Sequence, residues 1–281
     1  MKRYLFLMLV LMMINNLFSY SILERVTGNY IGNVDPRSAA MGSAAASGGN
    51  TLFDVVINPA NLGFLPDGFG FQFSYDLMSD SDNRSLPMYN SFDAYVDDAT
   101  YASNMNTFGK FTPGAFYKRN FDKFTIAASV LYRPFISFDS FYSEEVRNNK
   151  NSDFNSYPPI LAKNYIDSQG SINAISFLTA FTYEDIASLG IELSILSGDS
   201  DLERKIIWSD QALEMLNTLT DTTNTLNREF EALQVKVGTN ININQRFSVG
   251  LSFSPKIEFD VKGDKDGVDV EDAVYVYTKF D

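Results

Sequence analysis

The chain has 281 residues, 45% of them hydrophobic and 20% charged, with a formal net charge of −13 and a pI near 4.4. That is a folding composition, and its acidity argues against a nucleic-acid partner and against a basic patch for anionic lipid. Neither Cys nor His occurs, which removes thiolate and imidazole catalysis and most zinc and copper sites. With no Gly-x-Ser-x-Gly elbow either, no enzyme, cofactor or metal is expected.

The first residues, MKRYLFLMLVLMMINNLFSYS, set Lys2 and Arg3 before an apolar run from Tyr4 to Ile14, with Ser19 and Ser21 before a cut. This predicts a signal peptide over 1–21, because the run is too short to span a bilayer. A small-residue-rich stretch follows over 22–66, and the strand patterns begin near residue 67.

From there the chain alternates with period two, as strands do. Phe69, Phe71, Phe73, Tyr75 and Leu77 oppose Gly70, Gln72, Ser74 and Asp76; Phe124 to Ile136, Ile175 to Tyr183, Ile191 to Ile195 and Leu233 to Ile243 repeat the theme. RFSVGLSFSPKIEFD, Arg246 to Asp260, alternates from end to end, with Phe247, Val249, Leu251, Phe253, Ile257 and Phe259 on one face. Such a strand suits a soluble sandwich, or a wall with lipid on one side and water on the other. Two features favour lipid. The runs are about 9 to 13 residues, as a tilted membrane-crossing strand requires, and the connections alternate between short (RNFDK, EDIAS, NINQRF) and long. On this reading Arg133, Lys236, Lys256 and Glu258 face the lumen as interior charges.

The acidic stretches SDSDN and GDKDGVDVED read as solvated loops, the second lacking the spacing of a helix-loop-helix calcium site. Over 199–232 the pattern changes. Ser200 to Glu203 has the Ser-x-x-Glu form of a capping box, and Leu202, Ile206, Leu213, Leu216, Leu219, Leu226, Phe230 and Leu233 recur mostly at three, four or seven, which predicts a helical loop. Its stripe, Leu213, Leu216, Leu219, Leu226 and Phe230, either packs the loop onto the rim or lines an external groove for a greasy ligand.

RSAAMGSAAAS at Arg37 to Ser47, NPANLG at Asn58 to Gly63, and VGTNININQRFSVGLSFSPKIEFDVKG at Val237 to Gly263 resemble the FadL-like family of outer-membrane transporters for long-chain fatty acids and other hydrophobic compounds, and the related PorV-like barrels of type IX secretion. The resemblance implies an all-β fold: a fourteen-stranded transmembrane antiparallel barrel with residues 22–66 folded inside as a hatch. Gly42, Asn58, Pro59 and Ala60 would carry the hatch motif, and a low-affinity groove would lie on the third external loop. It also implies the outer membrane of a diderm bacterium, with outer-membrane lipid and a hydrophobic small molecule as partners. About eight strands are visible over 67–281, and eight cannot enclose such a hatch, so the chain reads as a fragment lacking C-terminal strands. Passive uptake of hydrophobic molecules is the expected function. A structural or interaction barrel, such as a PorV-like secretion component or an adhesin with protein partners at its external loops, is the alternative.

Overall fold

The computed structural model describes residues 27–31, 35–42, 44–48, 51–89, 92, 94–147, 159–216, 218–244, 247–265, 268–270 and 275–277, the last two stretches as backbone only. The expected signal peptide lies outside them. After a two-residue strand β1 (Asn29–Tyr30), a short helix α1 (Pro36–Ala40) and two 3-10 turns (Leu52–Val56 and Pro59–Phe64), the long strands follow. They are β2 (Gly68–Tyr89), β3 (Tyr95–Phe121), β4 (Phe124–Ser137), β5 (Ser140–Arg147), β6 (Ile160–Tyr183), β7 (Ala187–Trp208), a short helix α2 (Asp210–Met215), β8 (Thr222–Asn244), β9 (Phe247–Phe253) and β10 (Ile257–Lys265). The short β11 (Val268–Val270) and β12 (Tyr275–Tyr277) pair with β10.

All pairings are antiparallel, and the path β10-β8-β7-β6-β4-β3-β2 curls into a half-barrel. β1 sits on the top of β4, β5 continues alongside β6, and β9 pairs the lower half of β8 while β10 pairs its upper half. Tight turns close the lower end: Asp122 (φ 49°), Glu184 (φ 46°) and Asp185 (φ 55°) occupy the left-handed region there, which Asp tolerates better than most residues. No described helix is long and apolar enough to cross a membrane.

Period two decides which face meets which environment. Outward stand Phe69, Phe71 and Phe73 on β2, Ile191 and Ile195 on β7, Leu233 and Val237 on β8, and Val249 and Leu251 on β9, all large, apolar and exposed. Inward stand Thr125, Ser129, Arg133, Ser176, Ser188, Glu192, Ser194, Lys236 and Asn240, all buried. This is a water-soluble sheet turned inside out, and it is compatible with a membrane barrel. The outer belt has a sharp upper border. Ile175, Ile195 and Leu233 lie in one row across three strands, and the next outward row is Asn173, Ser197 and Glu231. At the lower border Phe121, Phe124 and Phe181 stack at centroid separations of 5.7 and 5.8 Å.

Three expectations change. The strands run to 22 residues in β2 and 27 in β3, so most of the long connections, SDSDN included, are strand. Above the belt the outer face turns largely polar while the inner face mixes polar residues with scattered apolar ones such as Leu202 and Phe230, so the alternation leaves little hydrophobic signature. For the same reason there is no helical loop over 199–232: β7 runs on to Trp208, α2 has only six residues, and β8 begins at Thr222. Outward Asp199, Asp201 and Glu203 alternate with inward Gly198, Ser200 and Leu202, while the Thr-rich run suits a strand better than a helix interior. Finally, the alternation of 246–260 slips once. Odd residues of β9 face out, but Ile257, Phe259 and Val261 of β10 are buried. Ser254, Pro255 and Lys256 leave the sheet between them, Pro255 being unable to donate to the ladder. Lys256 and Glu258 therefore stand outside, exposed and paired at 3.3 Å, rather than facing the lumen.

Replacing Ile191, central in the belt, by Arg should destabilise the protein in lipid vesicles by ~2 to 4 kcal/mol, whereas Arg at Asp199, above the border, should cost ~0 to 1 kcal/mol. Equal losses in denaturant unfolding would mean that the odd face of β7 does not meet hydrocarbon.

Candidate functional site

Residues 44–48 and 51–65 lie as an irregular segment against the inner face of the sheet. Each of its turns is capped from its own sequence. Thr51 accepts from Asp54 N, Asn58 accepts from Ala60 N at 3.0 Å, and Pro59 takes the first position of the second turn, where no N–H is needed. Asp35, which caps α1, also accepts from Thr51 Oγ1 at 2.9 Å, and Ser38 Oγ donates to Asp54. The segment is thus folded on itself before it meets the wall.

Its backbone is then satisfied by wall side chains. Lys236 Nζ donates to Val56 O at 2.6 Å, Ser188 Oγ to Ala60 O at 2.8 Å and Lys118 Nζ to Leu65 O at 2.8 Å, while Gln72 Oε1 accepts from Leu52 N at 2.8 Å. Asn58 Nδ2 reaches Ala46 O at 2.6 Å and Thr239 O at 3.0 Å, and Asn240 Nδ2 donates to Asn61 Oδ1 at 2.9 Å. Leu52, Phe53, Val55, Val56, Leu62 and Leu65 pack with Ala127, Leu131, Leu178 and Ala180 of the wall. Polar inward residues are therefore the partners of a non-strand backbone that has no ladder of its own.

Glycines shape the seat. Gly190 and Gly238 are register partners on β7 and β8, and both face inward where Asn58, Pro59 and Ala60 lie. A Cβ on Gly190 would come 2.3 Å from Pro59 C, and one on Gly238 would come 2.0 Å from Asn58 Oδ1. On β9, a Cβ at Gly250 would meet Ala46 O at 1.8 Å. No side chain fits between wall and segment at these points.

One layer above this segment lies a buried ion cluster. Glu192 sits between Arg133 (3.5 Å) and Lys236 (3.6 Å), and Arg133 and Glu192 are both 0% exposed. Ser176 and Ser194 donate to Glu192 Oε1 at 3.2 and 2.6 Å. Above that, the interior becomes apolar: Phe135, Phe138, Ile172, Leu196, Phe230 and Phe259 form one buried cluster, with Phe138 and Phe230 stacked at 5.3 Å.

The wall beside this cluster is interrupted twice. β4 pairs β3 only as far as Leu131 with Gly114, while it stays paired with β6 as far as Ser137; it bulges at Pro134 and from Arg133 to Ser137 is buried throughout, so its upper part separates from β3. Lys110 and Asp139 bridge the parting at 2.6 Å. On the other side β8 pairs β9 up to Val237 and β10 from Glu231 downward in number, so the described ladder on that edge steps from one strand to the other between Glu231 and Val237. A cleft of about 750 Å³, lined by Ile195, Leu233, Lys256, Glu258 and Asp260 among others, opens there.

The residues singled out in the sequence thus separate. Asn58, Pro59 and Ala60 lie at the glycine notch, whereas Gly42 (φ +69°) ends α1 with no atom within 4 Å of an added Cβ. Arg133 and Lys236 belong to the interior cluster. Leu213 lies in α2, Leu216 caps it and is exposed, Leu219 is in the connection to β8, and Leu226 and Phe230 are in β8 itself, Phe230 within the apolar cluster. They do not form one helical stripe. Glu192, Gly190 and Gly238 escaped notice in the sequence, although an inward-parity Gly on two successive strands and a Glu at the same parity were the available signals. Among the described residues no group of three or more acidic side chains is placed to hold a metal ion.

Gly238→Leu should expel residues 58–60 from the notch, so that amides of Leu52, Val56 and Leu62 exchange faster with solvent while β7 amides stay protected. Unchanged protection of those amides would show that the notch does not hold the segment. Comparison with family models, with curated proteins and with solved structures gives no match to this chain.

Proposed function

We propose that the chain forms the plugged wall of an outer-membrane barrel, in a diderm bacterium, for passive uptake of hydrophobic small molecules such as long-chain fatty acids. The observation that carries this reading is the parting of β4 from β3. Just above the belt, Pro134 and its neighbours part from β3 and add Phe135, Ile136 and Phe138 to a buried apolar cluster, which this reading takes as the ligand chamber. A hydrophobe entering from above would find that chamber over a seated plug, and its easiest exit is sideways into lipid where the ladder is broken. The plug keeps the wall from acting as an open water pore. The resemblance to FadL-like transporters points the same way, with capture assigned to the chamber rather than to an external helical groove. None of this needs covalent chemistry.

A structural or interaction barrel is the second reading. It is favoured by the height of the strands: β2 continues for twelve residues beyond Leu77 to Tyr89, which at ~3.3 Å per residue is about 40 Å of strand outside the belt.

Burying a chain methylene in the chamber gains ~0.8 kcal/mol, so a ligand with most of its chain buried should bind at roughly micromolar strength. Phe230→Asn should weaken binding of a fluorescent fatty acid about tenfold or more, with the exchange protection of the plug retained. Undiminished binding by the variant, or no binding by the parent protein to any long-chain amphiphile, would move the assignment to the interaction barrel.

A further inference from the structure

The top of the β2–β3 hairpin is unlike the rest of the protein outside the belt. Below it, β3 is held to the body by two side-chain amides. Asn106 donates to Phe141 O at 3.0 Å and accepts from Phe141 N at 2.9 Å, and Asn104 does the same with Ser143 O and N at 3.0 and 2.8 Å. Ala102 and Ala99 are still buried. Beyond Ala99 the two strands pair only with each other, and every described residue from Ala94 to Asp98 is exposed.

This ribbon carries large apolar groups where water, not lipid, surrounds it. Leu86 is 48% exposed, Tyr89 59%, Tyr95 58%, Val96 55% and Phe92, at the turn, 88%. Tyr89 and Tyr95 meet edge to face at 6.3 Å, which makes a small aromatic platform on the end of the ribbon. An isolated two-stranded ribbon is marginal in water, and an aromatic cluster at its tip adds a desolvation demand that folding does not meet.

The charge beside the platform has one sign. Asp97 and Asp98 are exposed next to it, and the sequence from Ser85 to Ala99 contains no Lys or Arg. Arg84, just below, is engaged by Asp82 at 2.9 Å and lies over the Tyr142 ring. We propose that this tip is a docking surface for a protein partner that presents an apolar groove rimmed by Lys or Arg. Aromatic anchors in a groove with an acidic rim meeting a basic one is the usual anatomy of a specific contact. A lipid surface fits less well, because the carboxylates would meet anionic headgroups.

A photo-crosslinking amino acid placed at Tyr89 or Tyr95 of the full chain in intact cells reads the contact directly, with the same probe at Ser81 as a control below the tip. The expected result is a discrete protein adduct from the tip positions only. Mass spectrometry should place its cross-link beside Lys or Arg in an apolar groove of the partner. In Asp97→Lys/Asp98→Lys it should fall about tenfold, because charge reversal at a rim acts on association. Both substitutions are on exposed residues, so the hydrogen-exchange protection of β3 amides below Ala99 should not change. Adducts with lipid or polysaccharide, adducts with a second copy of the chain, adducts of equal yield from Ser81, adducts indifferent to the charge reversal, or none at all would each overturn the proposal.

Discussion

Hydrocarbon offers a backbone no hydrogen-bond partner and a side chain no solvation for charge. With the sheet in the proposed membrane, that single constraint orders this structure. Each strand must pair along its length inside the belt, and each outward side chain there must be apolar. The charges and amides the chain carries then lie inward or above the border between the Ile175–Ile195–Leu233 row and the Asn173–Ser197–Glu231 row, with Lys256 and Glu258, paired outside at the cleft, as the exception. Period two makes the sorting automatic once register is set, since a slip of one residue would bring Glu192 and Lys236 into lipid.

The inner face then has to satisfy groups that lipid cannot. The inner segment, residues 44–48 and 51–65, solves this together with the wall. Its irregular backbone supplies carbonyls to Lys236, Ser188 and Lys118, and the wall supplies room at Gly190, Gly238 and Gly250. Glu192 would be untenable alone in a dry interior, and two cations and two hydroxyls enclose it. The apolar cluster lies above this polar layer, where the chain relaxes the pairing rule at β4 and at the break after Phe253. Interruptions of a ladder leave backbone groups in need of partners, and β1, paired with Ile136 and Ser137 of β4, shows one local answer.

What the sequence disclosed follows from the same constraint. Inside the belt, Phe69 to Leu77 or Leu189 to Ile195 contrast sharply with their neighbours, so strand, face and approximate position were legible. Above the border the contrast vanishes: Asp199, Asp201 and Glu203 alternate with Ser200 and Leu202, and a window that spans α2 and both strands mimicked helical spacing. The reversal of faces at Ser254–Pro255–Lys256 was hidden because the letters keep alternating through a segment that leaves the sheet. The seat of Asn58, Pro59 and Ala60 could be guessed only from resemblance. Which glycines receive it depends on register between β7 and β8, a long-range property.

The central claim is the placement of lipid against the odd face of β7, and spin labels scanned singly from Leu189 to Lys205 in vesicles test it most directly. Collision with oxygen should dominate at residues 189, 191, 193 and 195, alternate with shielded positions between them, and give way to a water-soluble nickel reagent from Ser197 onward. Nickel access at Ile191 or Leu193 equal to that at Asp199, or no alternation through the belt, would contradict the account.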